Sequence, residues 1–396
     1  MTTHPTLQRS RGMRDLLPAD MRAFRRVEDA FRAAASRWGY EEVRTPTIET
    51  YSLFTATGAL TPKMLARVYS FLDWDGWSGE RVVLRPDSTI PVSRAALEAG
   101  MTSPARLFYV QNVFRFAAEG DREDWQCGLE FLGAPPALGD LEVAAVACET
   151  LDALGITPVV RIGHAGIGRA IAQSMGGDAL SRLEDAGGIA LSRAENTLGA
   201  APQIRALVEL IADREGDLGF LSTIAAVMQS AAPEAMPAVR EIESLARALT
   251  ESGRRVIIDL DQALDFAYYT GAVFELSSDG TVWGRGGRYT PGGEGTAETA
   301  CGLALEIGPL AASVAPATRK RLTVDVVPAG PDDLSRAMSV ARALQRSGIA
   351  ASLSEQRDAT PLTVRVSGGQ LVARTPDGEH TLQALDEVVG LLVQYK

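Results

Sequence analysis

The residues best equipped for chemistry in this 396-residue chain fall in four short segments. Val83-Leu84-Arg85-Pro86-Asp87-Ser88-Thr89 reads as a strand running into a turn that presents one carboxylate and two hydroxyls. A desolvated ammonium needs an opposing charge and acceptors, so Asp87 and Thr89 can hold the amino end of a small ligand. The same Asp-Ser-Thr run ahead of Pro91 and Ala95 is equally suited to capping a helix. The second segment joins Phe108–Phe116 to Asp124–Glu130. Two strands linked by a polar loop bring Arg115, Gln126 and Glu130 to neighbouring positions of one face, because side chains alternate with period two. An arginine there can clamp a carboxylate with two parallel bonds, or simply pair with a local acid. The third segment, Leu264–Glu275, carries Tyr268 and Tyr269, of which at most one faces any pocket; a β-rich core strand with a partnered hydroxyl fits it as well. The fourth, Trp283-Gly284-Arg285-Gly286-Gly287-Arg288-Tyr289, permits tight turns and close backbone approach, but matches neither phosphate-loop pattern.

Other chemistries find little support. The three cysteines, Cys127, Cys148 and Cys301, are far apart, no C-x-x-C pair exists, and there are only three histidines. A structural metal, a disulfide framework and a cofactor are therefore not expected, and the cysteines read as small buried apolar residues. The net charge is −11. Nucleic-acid binding usually rests on a basic face, and here the longest basic cluster is Arg319-Lys320-Arg321, which reads as a solvated boundary. No apolar run approaches the ~20 residues of a membrane span, and residues 1–11 lack the apolar core of a secretory signal, so a cytosolic protein is expected.

Elements able to position these residues can be read from periodicity. Residues 21–38 form an amphipathic helix with Phe24, Val27, Phe31 and Trp38 on one face, Asp20 as its N-cap and Gly39 as its stop. Strands are expected at Glu41–Arg44, Val68–Leu72, Arg81–Leu84, Leu107–Phe114 and Trp125–Phe131, then a helix at Leu141–Leu154. From about 167 to 251 the composition becomes rich in alanine, leucine, glutamate and arginine, which predicts a helical insertion. Strands resume at Arg255–Asp259, Ala272–Leu276 and Thr281–Trp283, followed by a glycine-rich hairpin region. Because strands come in runs rather than in strict alternation with helices, the fold class is α+β, a mostly antiparallel sheet flanked by helices. Residues 1–318 make this core. Residues 319–396 make a small C-terminal α/β domain with strands at Leu322–Val327, Ile349–Leu353, Leu362–Val366 and Leu371–Arg374. One helix is opened by Asp332 and closed near Gly348, and a last helix covers Leu382–Leu392. That domain holds ten Lys/Arg and nine Asp/Glu, so it is nearly neutral.

In order, RGMRDLLP at 11–18, LRPDST, FYVQNVFR, DWQCGLEFLG, YYTGAVFE and GGRY resemble the landmarks of the histidyl-tRNA synthetase family over roughly residues 11–310. The resemblance implies a class II aminoacyl-tRNA synthetase-like fold, normally dimeric. It also assigns histidine-binding roles to Asp87, Thr89, Arg115, Gln126, Glu130, Tyr268 and Tyr269, with Asp87 where the enzymes usually have glutamate. Departures from the family pattern concentrate on the ATP side. F-R-x-E becomes Phe114-Arg115-Phe116-Ala117, and the following loop is acidic with Arg122 its one basic residue. Leu264 stands in place of the arginine of R-G-L-D-Y-Y, and Pro309 is matched to the arginine of G-L-E-R. Amino-acid activation is catalysed largely by positioned positive charge and metal, and loss of one such group costs about 10²–10³-fold.

A synthetase-like body without catalytic residues is similar to the regulatory subunits of ATP phosphoribosyltransferase. Membership there implies a cytoplasmic partner of the short catalytic subunit, a homodimer within a hetero-oligomer, which activates that subunit, mediates feedback inhibition by histidine and has no tRNA or membrane partner. An active histidyl-tRNA synthetase or another synthetase-like amino-acid sensor is the alternative.

Overall fold

A computed structural model describes residues 9–56, 62–74, 79–175, 201–212, 214–261, 269–291, 299–314, 323–355 and 361–395. The chain folds as two units, Met1–Ala317 and Thr318–Lys396. The larger begins with a helix over Pro18–Arg37. Pro18 suits the first helical position because its missing N–H is not needed there and its φ is already set. The helix therefore starts three residues earlier than expected, and Asp20, rather than capping it, sits in its first turn and accepts the Leu17 N–H at 3.0 Å. Phe24, Val27 and Phe31 are buried as the periodicity requires. Trp38 is not: it lies past the last helical residue, 39% exposed, with its indole N–H donating to Glu149. Gly39 adopts φ +79°, and the chain turns there with Tyr40 N–H bonded back to Ala35.

The strands that follow are β1 (Glu41–Glu42), β2 (Ile48–Thr50), β3 (Ser70–Trp74), β4 (Gly79–Leu84), β5 (Ala105–Phe114) and β6 (Glu123–Leu132). After a helix at Leu138–Ala153 come β7 (Val159–His164), helices Ala165–Met175 and Pro202–Ile211, β8 (Glu215–Gly216), and helices Leu218–Ala231 and Met236–Glu251. The larger unit then closes with β9 (Arg255–Asp259), β10 (Tyr269–Ser278), β11 (Thr281–Tyr289), β12 (Ala300–Glu306) and a helix at Ile307–Ser313. Nine strands form one sheet in the order β1-β5-β6-β12-β11-β10-β7-β9-β8. Pairing is antiparallel except for β1 with β5 and β7 with β9. Strands β2, β4 and β3 make a separate small sheet that ends at the Arg85–Thr89 turn.

The sheet has two chemically different faces. In β6, Cys127, Leu129 and Phe131 enter the main core together with Leu303 and Leu305 of β12 and Phe274 and Leu276 of β10. Phe31, Val146 and Leu151 from the flanking helices meet them there. The insertion is not a body of its own: Leu207, Ile224 and Ile242 of its helices belong to the same core, so it extends the cover over β7 and β9. Residues 176–200 lie outside those described. On the other face, the helix Thr89–Glu98 packs Val92 and Ala96 against Leu107, Tyr109, Leu132, Tyr289 and Ala300. That leaves the alternate positions Gln126 and Glu130 facing away from the main core.

The glycine-rich run expected as a hairpin is instead the interior of β11. Glycine inside a strand marks close backbone approach, and a side chain at Gly286 would collide with the Gly302 carbonyl and Leu303. Strands β2, β7 and β8 have no counterpart among the expected elements. Nor has β17 in the smaller unit, whose sheet runs β14 (Ala350–Leu353), β13 (Thr323–Pro328), β15 (Thr363–Ser367), β16 (Gln370–Thr375), β17 (Gly378–Leu382). That sheet packs Val324, Val326, Val364 and Val366 against Val340 and Leu344 of the helix Leu334–Arg346 and Val388 and Leu392 of the helix Leu385–Val393. Among the described residues no helix is long and apolar enough to cross a membrane. No group of His, Cys, Asp and Glu among them could hold a metal. All three cysteines are buried and free.

Candidate functional site

A small cleft, open to solvent, lies on the polar face of the sheet and is lined by Asp87, Thr89, Arg115, Gln126 and Tyr269. Five of the seven residues singled out from the sequence thus converge on one space. Glu130 sits behind them, 1% exposed, and Tyr268 lies outside the described residues.

Each member is held by its element. Arg85 anchors the turn: its guanidinium donates to the carbonyls of Thr45, Pro46 and Asn112 and to Asn112 Oδ1 at 2.6–2.9 Å. The Pro86-Asp87-Ser88 turn then leads into the helix Thr89–Glu98, where Asp87 Oδ1 accepts the Ile90 N–H at 3.3 Å. Asp87 thus bonds the helix start, as the capping reading has it, and also lines the cleft. Arg115 follows directly on β5, and its Nε donates to the Pro86 carbonyl at 2.7 Å, tying the hairpin end to the turn. Gln126 and Glu130, four residues apart on β6, share a face as alternation requires. Two glycines make the room. A side chain at Gly128 would overlap the buried Tyr109 ring, and one at Gly302 would overlap the Glu130 carboxylate.

Sequence reasoning missed Glu306 and gave no role to Arg285 and Tyr289 of the glycine-rich segment, all on the cleft wall. Glu306 was legible by counting in twos along β12 from Gly302 through Ala304. Gln126 Nε2 donates to Glu306 Oε1 at 2.7 Å. Burial pushes the Glu306 carboxyl up, against the pull of Arg115 and of the Gln126 bond. Burial also raises Asp124, again opposed by Arg115. A ligand carboxylate arriving at Arg115 therefore shares that cation with Glu306 and Asp124. Arg285 stands at the rim, bonded to Glu275 at 2.9 Å. Glu130 lies deeper: Tyr289 donates its hydroxyl to Glu130 Oε2 at 2.7 Å, and burial raises the carboxyl to about 8.

The site is rich in acceptors and poor in cations, which fits a small zwitterion better than a polyphosphate. Arg122 is already engaged, its Nε bonded to the Ala117 carbonyl and its guanidinium stacked on Phe116 at 4.4 Å. Pro309, matched to the G-L-E-R arginine, lies exposed in the helix Ile307–Ser313, two residues after the fully buried Ile307. Leu264 lies outside the described residues.

Comparison with known proteins agrees with this architecture. The family model of histidyl-tRNA synthetase matches residues 12–310. An ATP phosphoribosyltransferase regulatory subunit of Dehalococcoides mccartyi is 36% identical over 360 residues, 88% of this chain and 87% of that protein. A histidine–tRNA ligase of Archaeoglobus fulgidus is 32% identical over 279 residues, 69% of this chain and 66% of that protein. Among solved structures, an ATP phosphoribosyltransferase regulatory subunit/histidyl-tRNA synthetase from Bacillus halodurans superposes with a TM-score of 0.72 at 24% identity, covering 89% of this chain and 93% of that one, which speaks for the fold. On the family match and the longer, closer similarity, the chain belongs to the histidyl-tRNA synthetase family and, within it, to the ATP phosphoribosyltransferase regulatory subunits.

Proposed function

We propose that this chain is a non-catalytic regulatory subunit that assembles in the cytosol with a short ATP phosphoribosyltransferase catalytic subunit, activates it and carries its feedback inhibition by histidine. It does so as a homodimer within a hetero-oligomer, without tRNA. The observation that carries the ligand assignment is the convergence of Asp87 and Thr89 with Arg115 on one cleft. Acceptors suit an α-ammonium and the guanidinium suits an α-carboxylate, while Gln126, Glu130, Tyr268 and Tyr269 remain for the side chain. Histidine then regulates by binding one assembly state better than another, since only differential affinity shifts an equilibrium.

Calorimetric titration with histidine tests the site. Arg115→Ala removes a charge-assisted bond worth about 1.5–3 kcal/mol, so affinity should fall about 10- to 100-fold; equal affinity in both proteins would put the sensor elsewhere. Missing ATP-side groups predict no histidine-dependent ATP–pyrophosphate exchange, and robust exchange would restore the synthetase alternative. Mixing with a short catalytic subunit should raise that subunit's turnover.

A further inference from the structure

A second concave site lies apart from the cleft, at the outer edge of the nine-stranded sheet. There β1 leaves β5: its last pairing is Glu42 with Phe108, and Val43 still donates to the Phe108 carbonyl at 2.8 Å. Beyond that point the buried Gln111 side chain takes over, accepting the Thr45 N–H at 3.4 Å and donating to Thr45 Oγ1 at 3.2 Å. The departing backbone and the helix Pro18–Arg37 enclose a pocket whose charged lining is Arg25, Arg32, Arg44, Arg85 and Glu28. Four guanidiniums thus share one carboxylate, in a chain whose net charge is −11. Glu28, 4% exposed, is taken by Arg25 and Arg32, and Arg32 also bonds Glu42 at 3.1 Å. The buried Arg85 guanidinium donates to uncharged oxygens of Thr45, Pro46 and Asn112. Arg44 stands beside it, exposed, with no hydrogen-bond or ion-pair partner among the described residues. Burial is the main cause that lowers the Arg85 pKa, Arg44 adds to it, and Glu49, already bonded to Arg94 at 2.7 Å, opposes both. Two like charges held together with no acid between them carry a cost that a bound anion removes.

The remaining walls are apolar. Phe24 and Val110 belong to the main core, and the half-buried Trp125 packs against it with no partner for its indole N–H among the described residues. The guanidinium fork matches phosphate and carboxylate oxygens in pairs, and several forks around one space suit a dianion better than a single carboxylate. An aromatic wall beside them suits a flat apolar body. We propose that this pocket is a second binding site, for a small phosphate monoester that carries an aromatic ring. Arg44, with Arg25 and Arg32, takes the phosphate, and Trp125 takes the ring. The inference does not rest on the histidine reading, because none of the residues lining this pocket lines the cleft. The two sites are nevertheless neighbours, since Trp125 and Gln126 are consecutive in β6.

Phenyl phosphate is the probe, titrated into the full chain without histidine and followed by calorimetry and tryptophan fluorescence. The expected result is saturable binding, tighter than that of inorganic phosphate, which lacks the ring. In Trp125→Phe the fluorescence change should vanish while calorimetric binding persists more weakly. Arg44→Gln should weaken binding about tenfold or more, the worth of one charge-assisted bond. Because Arg44 holds no partner within the described chain, that variant should keep the parent's urea midpoint. Arg115→Ala, in the cleft, should leave phenyl phosphate binding unchanged. No saturable binding, equal affinity in Arg44→Gln, or a loss in Arg115→Ala instead overturns the second site and leaves the histidine reading intact. Light scattering tests the other occupant: if Arg44→Gln lowers the mass of the assembly and the parent does not bind the probe, the arginines meet an acidic segment of another chain, and the small-anion assignment falls.

Discussion

The ion pair between Arg288 and Asp140 offers the sharpest test of how the larger unit is held together. The two side chains are 5% and 1% exposed, with Arg288 Nη2 2.9 Å from Asp140 Oδ2. The guanidinium also donates to the carbonyls of Ala134 and Pro135 at 3.1 and 3.2 Å, so one side chain on β11 pins the turn between β6 and the helix Leu138–Ala153. Arg288→Ala strands a buried carboxylate whose Oδ1 already lacks a hydrogen-bond partner among the described residues. Breaking a buried pair from one side costs about 3–5 kcal/mol, most of it the penalty of the charge left behind. Replacing both partners, as in Arg288→Met with Asp140→Leu, should cost less than Arg288→Ala alone, and the coupling in a double-mutant cycle should exceed about 1 kcal/mol. Urea denaturation followed by tryptophan fluorescence is the assay, because Trp38, Trp74, Trp77, Trp125 and Trp283 all precede residue 318 and report on this unit alone. A loss below about 1 kcal/mol for Arg288→Ala, or strictly additive single effects, would refute the account.

Other expectations follow from the cleft. Gly302→Ala drives a methyl group into the Glu130 carboxylate and the Leu129 carbonyl, so it should cost about 1–3 kcal/mol in denaturation and weaken histidine binding in calorimetry. Because the Glu130 carboxyl is raised in the folded chain, the stability it adds is complete below the unfolded value near 4.5 and is lost as pH climbs to about 8. Relative to Glu130→Gln, the ligand-free protein should therefore lose about 1.4 kcal/mol per pH unit across that window, and parallel urea midpoints at pH 6, 7 and 8 would contradict it.

Much of this was legible in the chain because local rules and tertiary demands agreed. The helix at Pro18–Arg37, the β5–β6 hairpin and β9 follow periods of 3.6 and 2, with bounds displaced only at their ends. Strand β7 escapes a reading by period because it is only six residues long, with Val160 and Ile162 alone entering the core while Val159, Arg161 and His164 stay partly exposed. Strand β17 carries a single apolar residue, Leu382, and exists through its pairing with β16. The site divides in the same way. Asp87, Arg115 and Gln126 sit in patterned segments, whereas Glu306 reads as the tail of an apolar strand. Counting in twos from Gly302 puts it on the cleft face, and the β6–β12 register, which sets Glu306 opposite Gln126, gives it a partner.

The alternation along β6 and β12 has a consequence for how such a chain can change over time. Gln126 lines the cleft while Cys127, Leu129 and Phe131 point to the core, so a cleft-lining residue of this strand can be exchanged without disturbing the packing on the other face. An ancestral reaction can be dismantled, or a new specificity acquired, at little risk to the scaffold. The converse also holds: gain or loss of a single residue within β6 would turn Leu129 and Phe131 outward and bury two polar side chains in their place, so this lineage should tolerate substitutions in that strand far better than changes in its length.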